Sequence, residues 1–126
     1  MEGRVFSFLF LIDYMQDLLT LAPGVRKRRF RAEISAGERI RIETGHKGSG
    51  VTVSWSDYKR MVSFFRAKGF FLLGNRIDEV RSGSLGEYFK YRLKKSPKYA
   101  SHFAAIMVYL KDAKVVGEKP LTLRII

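Results

Sequence analysis

The chain has no cysteine, a single asparagine (Asn75), a single glutamine (Gln16), and only 12 Asp and Glu against 24 Lys and Arg. Without cysteine there can be no disulfide, no thiolate metal site and no cysteine nucleophile. The scarcity of thermolabile Asn and Gln points to a hot-living source, a thermophile. A long apolar run is missing as well. Val5 to Ile12 is broken only by Ser7, yet it is too short to span a bilayer, and Asp13 and Asp17 follow it. A secretory leader is not expected either, because Arg4 is offset by Glu2 and "TLAPG" is a poor cleavage site. The expected setting is cytoplasmic, without a membrane partner.

What is present is charge on a chain able to fold. At 126 residues, with 46% apolar residues and a net charge of +12, the composition suits one domain with a real core and argues against disorder. A folded, strongly basic domain usually meets a polyanion, and nucleic acid is the commonest one.

Along the chain the patterning changes several times. In residues 1–24, Asp13, Gln16, Asp17 and Thr20 share a narrow polar strip on a helical wheel, with Phe6, Phe8, Phe10, Leu11, Tyr14 and Leu18 over the rest. This predicts an N-terminal apolar helix that is either part of the core or, through residues 5–21, the seam of a homodimer. Residues 25–53 begin with the basic run Arg26, Lys27, Arg28 and Arg29. Strict alternation follows: Phe30, Ala32 and Ile34, then Ile40 and Ile42, then Val51 and Val53 face inward, with Arg31, Arg39 and Arg41 outward. A small antiparallel sheet is predicted, with cross-strand Arg and Glu pairs as the plain explanation of its outer face.

From residue 54 the period becomes helical. Ser54 or Ser56 caps a helix with Tyr58, Met61, Val62, Phe64 and Phe65 on one side, and Gly69 ends it; residues 70–73 form a short buried extended segment. "SLGE" at 84–87 fits a capping box that opens a second helix, in which Leu85, Tyr88, Phe89 and Leu93 face the core. Ser96 and Pro97 then open a third, roughly 97–112, so the second stops near Lys95 and the turn between them is tight. "AKVV" and "LTLRII", joined by "GEKP", read as a final hairpin.

Helix, short strand, helix, tight turn, helix and two strands, in that order over about the last 73 residues (54–126), resemble the winged helix-turn-helix superfamily. The resemblance rests on element order. It implies an α+β protein: a winged helix-turn-helix preceded by an N-terminal helix and a small antiparallel β-sheet. It also implies that "SPKYASHFAA" is the recognition helix and "GEKP" the tip of the wing. Lys98, Ser101, His102 and Ala105 would then approach the major groove, where small side chains suit a close fit. Lys94, Lys95 and Lys119 would meet phosphates, and Arg26, Lys27, Arg28 and Arg29 would add a basic arm.

No catalytic or metal constellation accompanies these residues. Asp78 and Glu79 are adjacent, so their side chains diverge, and His46 and His102 lack ligand spacing. "GHKGSG" lacks the Lys-Ser/Thr ending of a phosphate loop. The expected protein is a non-enzymatic nucleic-acid binder without cofactor: a duplex-DNA-binding transcriptional regulator or architectural protein. The alternatives are a single-stranded DNA or RNA binder using the basic sheet, with Phe30, Trp55 and Tyr58 as its aromatics, and a ribosomal or protein-interaction module.

Overall fold

A computed structural model describes residues 14–21, 28–45, 49–74 and 81–126. Strands β1 (Tyr14–Leu19), β2 (Arg29–Ser35), β3 (Arg39–Glu43) and β4 (Gly50–Ser54) form an antiparallel meander in that order. Alternation decides the burial, as strand geometry requires. Phe30, Ala32, Ile34, Ile40, Ile42 and Val53 are buried, while the arginines between them stay in solvent.

The expected N-terminal helix is not what residues 14–19 form. They pair with residues 29–34 of β2, placing Leu18 opposite Phe30 and Asp17 opposite Arg31. In isolation this segment suits a helical wheel, but β2 offers it a row of backbone partners and a charge of the right sign, and strand formation follows such tertiary context more than propensity. Residues 1–13, which carry most of the proposed homodimer seam, lie outside the described residues, as do Arg26, Lys27, His46, Asp78 and Glu79.

Helix α1 (Trp55–Lys68) starts directly after β4. Ser54 Oγ accepts the Asp57 amide at 3.1 Å, and Gly69, at φ 90°, closes the other end with its amide on Phe65 O. Its inner face is Tyr58, Met61, Val62 and Phe65. Strand β5 (Phe70–Leu72) follows. Helix α2 (Leu85–Glu87) opens on Ser84, whose hydroxyl accepts the Glu87 amide, and Glu87 reaches back to the Gly83 amide at 2.7 Å. It then widens into a five-residue turn at Tyr88–Arg92, closed by the Leu93 amide on Tyr88 O at 3.1 Å. Lys94, at φ 59°, ends it. A short 3-10 turn at Pro97–Tyr99, capped by Ser96, leads into α3 (Ala100–Tyr109), then β6 (Ala113–Glu118) and β7 (Leu121–Ile125). The second sheet has the order β5-β7-β6, all antiparallel.

The protein is therefore mixed α and β with two antiparallel sheets, as expected of an α+β chain. The boundary drawn between residues 53 and 54 divides the sequence but not the packing: Ile40, Ile42 and Val53 share one core with Tyr58, Phe65, Phe89, Phe103 and Leu123. Two polar contacts hold its parts in register. Tyr58 Oη donates to Asp112 Oδ2 at 2.6 Å, tying α1 to the junction of α3 and β6, and the Asp112 carbonyl accepts the amide of Ile126. Burial, reinforced by that carboxylate, pushes the Tyr58 phenol far above its ordinary range. The exit of β5 also crosses the start of α2 closely. The Gly86 amide donates to Leu73 O at 2.8 Å, and a Cβ on Gly86 would collide with the Gly74 carbonyl.

Two stability outcomes follow and are checked by chemical denaturation. Tyr58→Phe is expected to lower the unfolding free energy by about 1–2 kcal/mol, because Asp112 loses a partly buried donor. Gly86→Ala is expected to cost about 3 kcal/mol, since the obstacle is backbone rather than a yielding side chain. A neutral Gly86→Ala would mean the two segments do not cross as described.

Candidate nucleic-acid interface

The turn between α2 and α3 holds the densest group of cations free of carboxylate partners among the described residues. Lys94 and Lys98 are exposed and Lys95 half-buried, and none of the three has an ion pair with a described carboxylate. The backbone here is held firmly. Ser96 Oγ accepts the Lys98 amide, the Lys95 amide reaches Phe89 O at 2.9 Å, and Tyr99 Oη donates to Gly50 O at 3.2 Å, fixing the turn against β4. An open cleft of about 680 Å³ separates Lys95 from the facing ends of β3 and β4, with Arg41, Thr44 and Thr52 on its other wall. Sequence position alone placed these lysines correctly at a tight, helix-opening turn.

Of the four expected groove-reading residues only Lys98 is exposed at this turn. Ser101 and Ala105 are buried, with 6% and 7% of their surface exposed, and His102 is half-buried. What covers them is the first sheet. The Leu21 amide donates to Ser101 O at 3.2 Å, Tyr109 Oη donates to Gln16 Oε1 at 3.1 Å, and the His102 ring meets Phe30 edge-on at 4.9 Å. Small side chains do permit close approach to α3, but what approaches is the chain's own β1 and β2. Ser101, His102 and Ala105 therefore do not form an open groove-facing surface. Burial pushes the His102 imidazole down to about 4, and an interaction with the Lys98 backbone opposes that shift only in part.

The remaining expected contacts are scattered. Lys119 is exposed at the β6–β7 turn, and Arg28 and Arg29 are exposed before and at the start of β2. The outer face of the first sheet is largely self-neutralised. Arg31 pairs with Asp17 at 3.4 Å, and Arg41 with Glu43 at 3.0 Å and Glu33 at 3.3 Å. Arg39 lies within 4 Å of Glu33 and Glu38. Phe30 and Tyr58 are buried, so neither offers a stacking surface there, and half-buried Trp55 lies under the Lys59 ammonium at 5.9 Å. Among the described residues that leaves the single-strand alternative with Arg28 and Arg29 as free cations and no exposed aromatic row on this sheet.

A second basic surface went unrecognised in the sequence. Tyr88, Tyr91 and Arg92 of the wide turn face Phe64 of α1. The Arg92 guanidinium lies 4.6 Å from the Phe64 ring and 5.7 Å from that of Tyr88, and Lys68 lies 5.4 Å over Phe64. Burial raises the Tyr88 phenol, with Arg92 and Arg60 pulling against it. The alternation of aromatic and basic residues in "YFKYR" was the available signal; Tyr88 and Phe64 read as core, which they are, but the exposed Tyr91 and Arg92 beside them were not singled out.

No protein-family model, curated protein or solved structure matches this chain. No helix among the described residues is long and apolar enough to cross a membrane.

The state of His102 makes the α3–sheet contact pH-dependent in a defined sense. Its folded pKa, about 4, lies below the ordinary 6.5, so the stability it contributes is complete above about pH 6.5 and is lost as pH falls toward 4. Melting temperature should drop over that window, and His102→Gln should flatten the part of the drop due to this ring. Equal slopes for both proteins would show that His102 is not buried in its neutral form.

Proposed function

We propose that this chain binds nucleic acid, duplex DNA first, through a winged-helix-like unit running from α1 to β7. Two features support the kinship. The elements follow the order helix, strand, helix, helix, strand, strand, and the strand after the first helix pairs with the last strand, giving β5-β7-β6. The single observation that carries the function is the lysine group at the α2–α3 turn, which has no ion pair with a described carboxylate. Around it, residues 81–126 hold ten Lys and Arg against Glu87, Asp112 and Glu118. Of those carboxylates, Glu87 caps α2 and Asp112 accepts from Tyr58.

The buried face of α3 determines the kind of binding. With Ser101 and Ala105 under the first sheet, the turn leads and α3 does not enter the groove. Lys94, Lys95 and Lys98 then meet phosphates, which position a protein without reading sequence. An architectural role on the nucleoid fits this better than recognition of one operator, and no chemical step or cofactor is required.

The test is a salt-titrated binding comparison on duplexes of unrelated sequence. Each phosphate contact steepens the logarithmic salt dependence by about 0.9. Replacing Lys94, Lys95 and Lys98 together with Ala should weaken binding to all duplexes alike and reduce the slope by about 2–3, with the melting temperature preserved because all three are surface groups. Unchanged affinity and slope would contradict the proposal.

A further inference from the structure

Two or three residues before the lysine turn, the wide part of α2 and the facing side of α1 enclose a cavity of about 270 Å³. That is just below the ~300 Å³ at which pockets for whole small molecules begin. Its walls combine three aromatic rings, Phe64, Tyr88 and Tyr91, with the guanidinium of Arg92 and the carboxylate of Glu87. Tyr91 is 58% exposed, so its ring is open to a ligand at the mouth of the pocket. Helical turns wound one residue too wide recur at functional sites, and this one carries both Tyr91 and Arg92.

The charge around the rings selects the occupant. Aromatic cages that take quaternary ammonium groups leave their ring faces open to the cation. Here the Phe64 ring already has Arg92 and Lys68 within 5.4 Å, and Lys90 lies 5.3 Å over Tyr91, so a cationic ligand would be repelled. A purely apolar ligand would bury these cations without an anion, and would bury a Glu87 carboxylate whose described partner is the Gly83 amide alone. A planar heterocycle linked to phosphate meets every feature: rings and a guanidinium plane to stack on, a carboxylate to accept from an exocyclic amino group, and ammonium groups for the phosphate.

We infer that the α1–α2 pocket takes one unstacked nucleobase, held against Tyr91 and Arg92 with its phosphates near Lys68 and Lys90. The inference rests on the nucleic-acid reading and adds a substrate class to it: duplex DNA that carries unpaired nucleotides, the paired part lying along the lysine turn and the first unpaired base entering the pocket. Stacking of this kind tolerates any base, since each has a π-face.

Fluorescence anisotropy with three labelled probes tests this: a blunt duplex, the same duplex with single-stranded overhangs, and the same overhangs with abasic sugars in place of bases. The overhang duplex is expected to bind about tenfold tighter than the blunt one, as one base–aromatic stack allows, and the abasic overhang to behave as blunt. Tyr91→Ala should abolish the difference while leaving blunt-duplex affinity and its salt slope unchanged, and Tyr91→Phe should retain it. Equal binding of blunt and overhang duplexes would overturn the inference while leaving the duplex proposal standing. Binding to none of the probes would overturn both. An overhang preference that survives Tyr91→Ala would place base recognition outside this pocket.

Discussion

Burial of α3 beneath the first sheet is the constraint from which the rest of the molecule follows. Ala100, Ser101, Phe103, Ala104, Ala105, Ile106 and Met107 are all buried, leaving this helix no broad open face. A helix that is apolar all round belongs in a core. Its position fixes what remains for function: the turn that leads into it, and the cations its neighbours leave unneutralised. The same packing makes one body of a chain whose sequence reads as three segments, because β1 and β2 pack on α3 while α3 packs on α2 and β6.

Charge is distributed accordingly. On the first sheet Arg31, Arg39 and Arg41 face Asp17, Glu33, Glu38 and Glu43, so the strands that shield α3 carry little net field. Such exposed pairs add only about 0–1 kcal/mol each to stability. Their larger effect is to neutralise most of the outer face of the first sheet. Arg28 and Arg29, α1, the wide part of α2, the turn after it and the final hairpin keep exposed cations without a described carboxylate partner. On the proposed reading, a polyanion would meet Lys94, Lys95 and Lys98, and Tyr91 and Arg92 of the α1–α2 pocket lie just before them in the chain.

Much of this was legible in the sequence where local chemistry decides the outcome. Strict alternation gave β2, β3 and β4 with the correct residues inward, Ser54 and Gly69 bracketed α1, and Ser84 and Ser96 opened the next two helical segments. The misreadings occur where partners far along the chain decide. Residues 14–19 pattern as a helix but fold as a strand because β2 is there to receive them. Ser101 and Ala105 are small, and small residues suit a DNA groove and a packed strand equally. The better clue was the neighbouring run of Phe103, Ala104, Ala105, Ile106 and Met107, too apolar around the whole turn for an exposed recognition helix. Tyr88 and Phe64 do belong to the core, as their spacing predicts, but the widening of α2 at Tyr88 leaves no signal that periodicity detects, so the pocket beside them was not foreseen.

The central claim is that duplex DNA is met by the lysine turn while α3 stays covered. Amide hydrogen exchange of the protein, with and without a duplex of arbitrary sequence, tests it most directly. The account predicts added protection confined to about residues 90–98, with exchange in β1 and α3 unchanged. Faster exchange in β1 together with altered exchange at residues 101–105 would mean that the sheet lifts and the helix docks, and would contradict the account.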